Sequence, residues 1–311
     1  MKPNILFMGT PEFAVPSLKI LLEQDQAVIG VVTQPDRKKG RGMQPAPPPL
    51  KVFAEARNIP VLQPERVRSP EFLELFRQLA PDLVVVVAFG QILPKEMLEL
   101  PRLGCINVHP SLLPKYRGAA PLNWAVIRGE TTTGVTIMQM DAGMDSGDIL
   151  LQEETAIGDQ ETAGELHDRL AVRGAQLLME TTGMVEAGAI RRIPQDHAAA
   201  TFAPRLKKED GLIRWEADVR AIVQLIRGLS PAPCAYTFFE GKILRIFQAV
   251  EIDTPSTALY GTVSISENEL LVSAANGMVS LLDVQLEGKK RMPVHEFLRG
   301  CRLKPGDRLH V

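Results

Sequence analysis

Leu83-Val84-Val85-Val86-Val87-Ala88-Phe89 decides the fold class. Four consecutive β-branched valines leave no polar position on either side of a pleated strand, so both faces must be covered. The rest of the first half agrees. Ile5–Met8 and Val28–Thr33 are short apolar strands, Val61-Leu62 is a brief extended piece, and Gly104–Val108 is a further strand. Helical patterns lie between them. Thr10 offers an N-cap oxygen and Pro11 a first helical residue, after which Phe13, Leu18, Leu21 and Leu22 carry an apolar stripe to about Glu23. Leu50–Arg57, Ser69–Leu79, Pro121–Arg128 and the long Thr162–Ala187 read as helices, and Val135–Met140 with Ile149–Glu153 as paired strands. This alternation predicts an α/β domain, a mostly parallel sheet with helices on both faces. Ligands of such sheets bind outside the carboxyl ends of the strands.

The 311 residues are long for a single core, and the size prior is roughly two domains of about 150 residues. The composition shifts near Gly188. Arg191, Arg192, Arg205, Lys207 and Lys208 stand against the single Asp196, which predicts a basic linker. Beyond it come a helix at about Asp218–Gly228 and the β-rich runs Ala235–Phe239, Ile243–Ile252, Gly261–Ser266, Glu269–Ala274 and Met278–Leu286. Short strands with Gly or Asn turns predict a small antiparallel barrel, closed by a short helix near Pro293–Leu298 and a Pro305-Gly306 turn.

Composition excludes several classes. The 45% hydrophobic and 23% charged content is that of an ordinary globular protein. No apolar run approaches the roughly 20 residues that span a bilayer, and the N-terminus lacks the long apolar core of a signal peptide. Cys105, Cys234 and Cys301 have no metal-type spacing and read as reduced structural thiols. The net charge of −2 announces no nucleic-acid partner for the molecule as a whole. Locally, Arg37, Lys38, Lys39 and Arg41 crowd one loop with only Asp36 against them. That loop is either a solvated surface run or a grip on phosphates. Gly9 follows the first strand without the G-x-G-x-x-G pattern, so it reads as a tight turn rather than a nucleotide site.

The chemistry concentrates in Asn107-Val108-His109-Pro110, followed by Ser111-Leu112-Leu113-Pro114-Lys115-Tyr116-Arg117-Gly118. Two residues apart on a strand, Asn107 and His109 point to the same side. Asn supplies a fixed hydrogen-bond donor and His a group that titrates near neutrality. The pair suits polarising a carbonyl and moving a proton, which is acyl-transfer chemistry. Asp141, Asp145 and Asp148 share a Gly-rich loop and compete to orient the imidazole. The loop Ala88–Pro94 is either an ordinary turn or a place where backbone groups meet a flat heteroaromatic ring.

Several of these pieces together resemble the 10-formyltetrahydrofolate-dependent formyltransferases over essentially the whole chain. They are Phe7–Ala14, the loop ending Gly40-Arg41-Gly42, Asn107–Pro114 with Tyr116-Arg117-Gly118, Met140–Asp148, and Phe202–Leu206. The Asn-x-His and Ser-Leu-Leu-Pro pieces mark the shared chemistry, whereas the basic loop and the C-terminal extension resemble the branch whose acceptor is methionyl-tRNA. The resemblance implies a Rossmann-like catalytic domain over 1–190, a basic linker over 191–206, and an OB-like barrel over 207–311 that supports tRNA binding. It implies that Asn107, His109 and Asp145 are the catalytic set. Ser111, Leu112, Leu113 and Pro114, with Phe89, Gly90, Gln91, Ile92 and Leu93, are implied to contact folate. Arg37, Lys38, Lys39, Arg41, Lys207 and Lys208 are implied to meet tRNA.

By the same resemblance, 10-formyltetrahydrofolate is the formyl donor and initiator methionyl-tRNA the acceptor. The implied product is N-formylmethionyl-tRNA for translation initiation, made without a metal by a monomer in a bacterial cytoplasm. In that expectation the Asn107 amide and a His109 imidazolium steady the oxyanion, and Asp145 keeps the ring charged. The alternatives are a formyltransferase for a small amine, such as glycinamide ribonucleotide or an amino sugar, and a noncatalytic RNA-binding protein. The first leaves the chain beyond Lys207 without a use, and the second leaves the catalytic set without one.

Overall fold

The valine-rich strand sits inside a seven-stranded sheet. Its strands are β1 (Ile5–Gly9), β2 (Val28–Val32), β3 (Val61–Leu62), β4 (Leu83–Val87), β5 (Cys105–His109), β6 (Thr132–Gln139) and β7 (Ile149–Ala156). Their spatial order is β7-β6-β5-β4-β1-β2-β3. β3, β2, β1, β4 and β5 run parallel, and β6 joins β5 antiparallel. The order reverses at β1 and β4, which opens a crevice at their carboxyl ends. The computed structural model describes residues 2–39, 44–266 and 268–310.

Every residue of β1, β4 and β5 is buried, as a doubly covered sheet requires. On one face Leu6, Met8, Val32, Val84, Val86 and Cys105 pack against Phe72 and Phe76, from the Pro70–Leu79 helix, and Met97, from Lys95–Glu99. Ser69 caps the first of these helices by accepting the Phe72 N–H at 3.3 Å. Edge strand β7 alternates between more and less exposed positions, the pattern of an antiparallel strand with one wet face. Gly9 ends β1 where a Cβ would collide with Ala14 and the Val87 carbonyl, so the glycine serves close packing. The hydroxyl of Thr10 does not cap a helix. It donates to the Phe89 carbonyl at 2.9 Å and ties the end of β1 to the loop after β4.

The chain groups into two compact units that do not follow its order. One comprises Met1–Gly118, Thr133–Thr155 and His167–Phe202; the other comprises Ala119–Thr132, Ala156–Leu166 and Ala203–Val311. The stretch expected as a linker is therefore divided: residues up to Phe202 fold into the first unit. Nor does the second unit begin at 207, since it includes the Pro121–Ile127 helix. In that unit, Val219, Ile222, Val223, Ile226 and Leu229 line the buried face of the Val219–Leu229 helix, capped by Asp218. This face covers an antiparallel sheet of Ala235–Phe239, Lys242–Ile252, Gly277–Leu286, Glu269–Ala274 and Val263–Ser266, in that spatial order. Residues 306–310 bridge the two edges: His310 pairs with Phe238, and Arg308 with Thr262. The C-terminal segment thereby closes an OB-like barrel. Among the described residues no helix is long and apolar enough to cross a membrane.

Candidate active site

Asn107 and His109 lie at the carboxyl end of β5, on one face, nearly buried at 9% and 4% exposure. Among the described residues the Asn107 side-chain amide has no hydrogen-bond partner, so both its N–H groups are free to donate to a guest. His109 Nε2 lies 3.0 Å from the Tyr116 carbonyl oxygen. A carbonyl only accepts, which assigns the hydrogen to Nε2. Nδ1 of the neutral ring is then a lone pair, 3.7 Å from Asp145 Oδ2. That separation is too long for a hydrogen bond, and two acceptors face each other across it. A proton arriving at Nδ1 turns this opposition into attraction.

The expected imidazolium is corrected here. Burial pushes the His109 pKa below its ordinary value, and the opposing pull of the Asp145 carboxylate and the Tyr116 carbonyl does not offset it. Burial thus favours the uncharged ring.

The competition among the three aspartates has a geometric answer. Asp141 accepts from the Gly143 N–H and the Ser146 hydroxyl, so it shapes its own turn. The Asp148 backbone carbonyl accepts from the Gln139 N–H within the strand pairing. Asp145 alone of the three turns its carboxylate to His109, and the same Oδ2 accepts the Gly118 N–H at 2.8 Å. It does so from a left-handed backbone with φ of 50°.

The Ser111–Pro114 turn is held from β6 and β7. Thr136, opposite His109 in the pairing, donates its hydroxyl to the Ser111 carbonyl at 2.6 Å. It accepts the Leu113 N–H at 3.1 Å and Gln152 Nε2 at 2.8 Å, so the hydroxyl is saturated. Gln152 also donates to the Leu113 carbonyl at 2.8 Å. The Ser111 hydroxyl closes the turn on the Lys115 carbonyl at 2.7 Å. Ser111 and Leu113 are buried, whereas Leu112 and Pro114 are partly exposed.

The expected folate loop after β4 divides by residue. Phe89 and Leu93 are core side chains, packed with Phe72 and Met97. The Gln91 amide is engaged with Val67, Pro64 and Glu65. Gly90 is open, and Ile92 is 81% exposed. Of the basic loop, Arg37–Lys39 pairs antiparallel with Gln44–Ala46. Arg37 is exposed and donates to Gln34 Oε1 at 3.2 Å. Arg41 lies outside the described residues. Lys207 and Lys208 are exposed in the other unit.

Sequence reasoning missed Thr136, Gln152, Gln195 and His197. Period-two alternation puts Thr136 on one face of its strand, but only strand register places it opposite His109. Gln195 carries no local signal at all, lying 50 residues from Asp145 and 78 from Arg117.

An amide, a buried imidazole and an adjacent carboxylate thus stand together at the end of a Rossmann-like sheet, groups that suit acyl-transfer chemistry. The chain belongs to the formyl transferase family: the family's model, described as "Formyl transferase", matches residues 1–182, and "Formyl transferase, C-terminal domain" matches 205–302. It is 56% identical over 306 residues to the methionyl-tRNA formyltransferase of Syntrophus aciditrophicus (strain SB), covering 98% of both chains. It is 51% identical over 306 residues to the enzyme of that name from Geobacter metallireducens, again covering 98% of both.

Among solved structures, it shares its fold with WlaRD, a sugar 3N-formyl transferase crystallised with dTdp and 5-N-Formyl-THF. The TM-score is 0.68 at 20% identity, covering 93% of this chain and 100% of that one. It also matches HypX from Aquifex aeolicus in complex with tetrahydrofolic acid, with a TM-score of 0.63 at 17% identity. That match covers all of this chain and 51% of the other.

Proposed function

We propose that this protein transfers the formyl group of 10-formyltetrahydrofolate to the α-amino group of initiator methionyl-tRNA, giving N-formylmethionyl-tRNA for translation initiation. The acceptor rests on relatives that match over 98% of this chain. The chemistry rests on one observation: the Asn107 amide, without a partner among the described residues, stands beside a buried His109 whose Nδ1 faces Asp145.

The amine nitrogen attacks the formyl carbon, a C–N bond forms, and the carbonyl oxygen becomes an oxyanion. Asn107 donates to that oxygen, the type of electrostatic stabilisation that usually dominates acyl transfer. His109 Nδ1 takes the proton released by the amine. The resulting imidazolium is held by Tyr116 and Asp145, and it passes the proton to N10 of the folate. The C–N10 bond breaks as the carbonyl re-forms, leaving tetrahydrofolate and the formylated acceptor.

In this reading the Ser111–Pro114 turn and the Gly90–Ile92 stretch meet the folate. Leu113, Phe89 and Leu93 contribute backbone or support, because their side chains are buried. Arg37, Lys38, Lys39, Arg41, Lys207 and Lys208 meet tRNA phosphates, so affinity falls steeply with salt. The enzyme acts as a monomer in a bacterial cytoplasm, its relatives being bacterial.

The test is an assay of labelled formyl transfer from 10-formyltetrahydrofolate to methionyl-tRNA, free methionine, glycinamide ribonucleotide and an amino sugar. Label in methionyl-tRNA alone is expected. Transfer to a small amine with none to charged tRNA overturns the acceptor.

A further inference from the structure

Gln195 is 6% exposed, and every hydrogen bond of its amide goes to the surroundings of the catalytic pair. Nε2 donates to the Asp145 carbonyl at 3.0 Å and to the Gly147 carbonyl at 2.7 Å. Oε1 accepts Nε and Nη2 of Arg117 at 3.1 and 2.6 Å. Carbonyls on one side and a guanidinium on the other leave the amide a single orientation.

Arg117 is buried as well, with Nη2 also 3.2 Å from His197 Nδ1 and its backbone N–H donating to the Thr201 carbonyl at 2.9 Å. Its chain neighbours are the two groups that hold the catalytic pair: the Tyr116 carbonyl on His109 and the Gly118 N–H on Asp145. The contacts form a closed ring. His109 leads through Tyr116 to Arg117, Arg117 to Gln195, Gln195 to the Asp145 backbone, and the Asp145 carboxylate back to His109.

We propose that Gln195, with Arg117, is a positioning residue that sets the separation of Asp145 from His109 and holds the Asp145 loop in its left-handed turn. The role in turnover rests on the formyl-transfer reading. The bonds of Gln195 end on Arg117 and on two backbone carbonyls, so it acts through Asp145. Carboxylate placement matters at this site because His109 must gain and lose a proton within one cycle.

Gln195→Glu leaves Arg117 a partner but removes both amide donors. Gln195→Met keeps the length and removes every bond. In steady-state assays beside the wild type, each variant is expected to lose about 10- to 100-fold in kcat with both KM values within about threefold. In an Asp145→Ala background the same changes are expected to cost less than about twofold more, since the carboxylate they place is gone. Unchanged kcat in Gln195→Glu, or losses that multiply fully in the Asp145→Ala background, overturn the proposal.

Titration of His109 by NMR supplies a readout independent of turnover. The charge facing the ring is that of Asp145, beside the Tyr116 carbonyl dipole. Gln195→Met is expected to move the midpoint down, as Asp145→Asn does; an unmoved midpoint overturns positioning. If the wild type formylates nothing, the reaction reading falls, while the titration still decides whether Gln195 places Asp145. If Gln195→Met does not fold, Gln195→Glu with the double-mutant comparison decides.

Discussion

The Asn107 amide is 9% exposed and, among the described residues, has no hydrogen-bond partner, so it is available to a ligand. Asn107→Ala is expected to lower kcat by about 100-fold or more, the usual loss for one oxyanion donor, with an unchanged melting curve. Asp145→Ala is expected to fall at least as far. Near-normal turnover in either variant removes that residue from the mechanism. The pH dependence follows from His109. Its pKa is depressed from 6.5, so the neutral base survives below pH 6.5 and the acid limb of kcat/KM lies there. Asp145 pulls that pKa up, so Asp145→Asn moves the limb to still lower pH. The same depression links folding to pH. The unfolded ring binds protons more readily, so this contribution is complete above about pH 6.5 and is lost as pH falls towards the folded value. At this scale Asn107 and His109 were legible because strand period alone puts them on one face. The charge state was not, because desolvation depends on what covers the ring.

Among elements, the Ser111–Pro114 turn depends on a neighbouring strand. Thr136 satisfies both the Ser111 carbonyl and the Leu113 N–H. Thr136→Val keeps the shape and orphans both groups, at about 1–3 kcal/mol each. A melting temperature lower by several degrees is expected, with a raised KM for folate and an unchanged KM for methionyl-tRNA. Equal change in both KM values shows that the turn serves the whole site instead. The basic loop, of which Arg37–Lys39 pairs with Gln44–Ala46, carries a separate expectation. Arg41→Ala raises the KM for tRNA, reduces its salt slope by about one, and leaves folate affinity nearly unchanged. The valine run and the stripe on Val219–Leu229 were readable to within two residues, whereas the strands read as Val135–Met140 and Ile149–Glu153 span Thr132–Gln139 and Ile149–Ala156, and the Lys95–Glu99 helix was not read at all. The cross-strand partners were not, because register follows from packing.

For the whole molecule, closure of the second unit depends on its last residues. The backbone of 306–310 bonds to Phe238 on one edge and to Gly261 and Val263 on the other. Deleting the chain from Gly306 onward leaves two barrel edges unpaired. The deletion is expected to lower the melting temperature and to speed amide exchange at Ala235–Phe239 and Val263–Ser266; unchanged exchange there shows closure by other means. Sequence reading expected only a turn at Pro305-Gly306, since a segment too short to show periodicity becomes a strand partner only when the barrel supplies its edges.

The sequence by itself determined the doubly covered parallel sheet, the β-rich second half and the Asn107–His109 pair. Each is a local matter of apolar period and chain order. Resemblance pointed to Asp145 and the tertiary structure put its carboxylate beside His109; only the structure showed that burial lowers the His109 pKa, that Gln195 and Thr136 bond the groups around the pair, and that the presumed linker folds into the first unit up to Phe202. Those depend on contacts between residues far apart in the chain and on the loss of water around them, neither of which leaves a mark in local sequence.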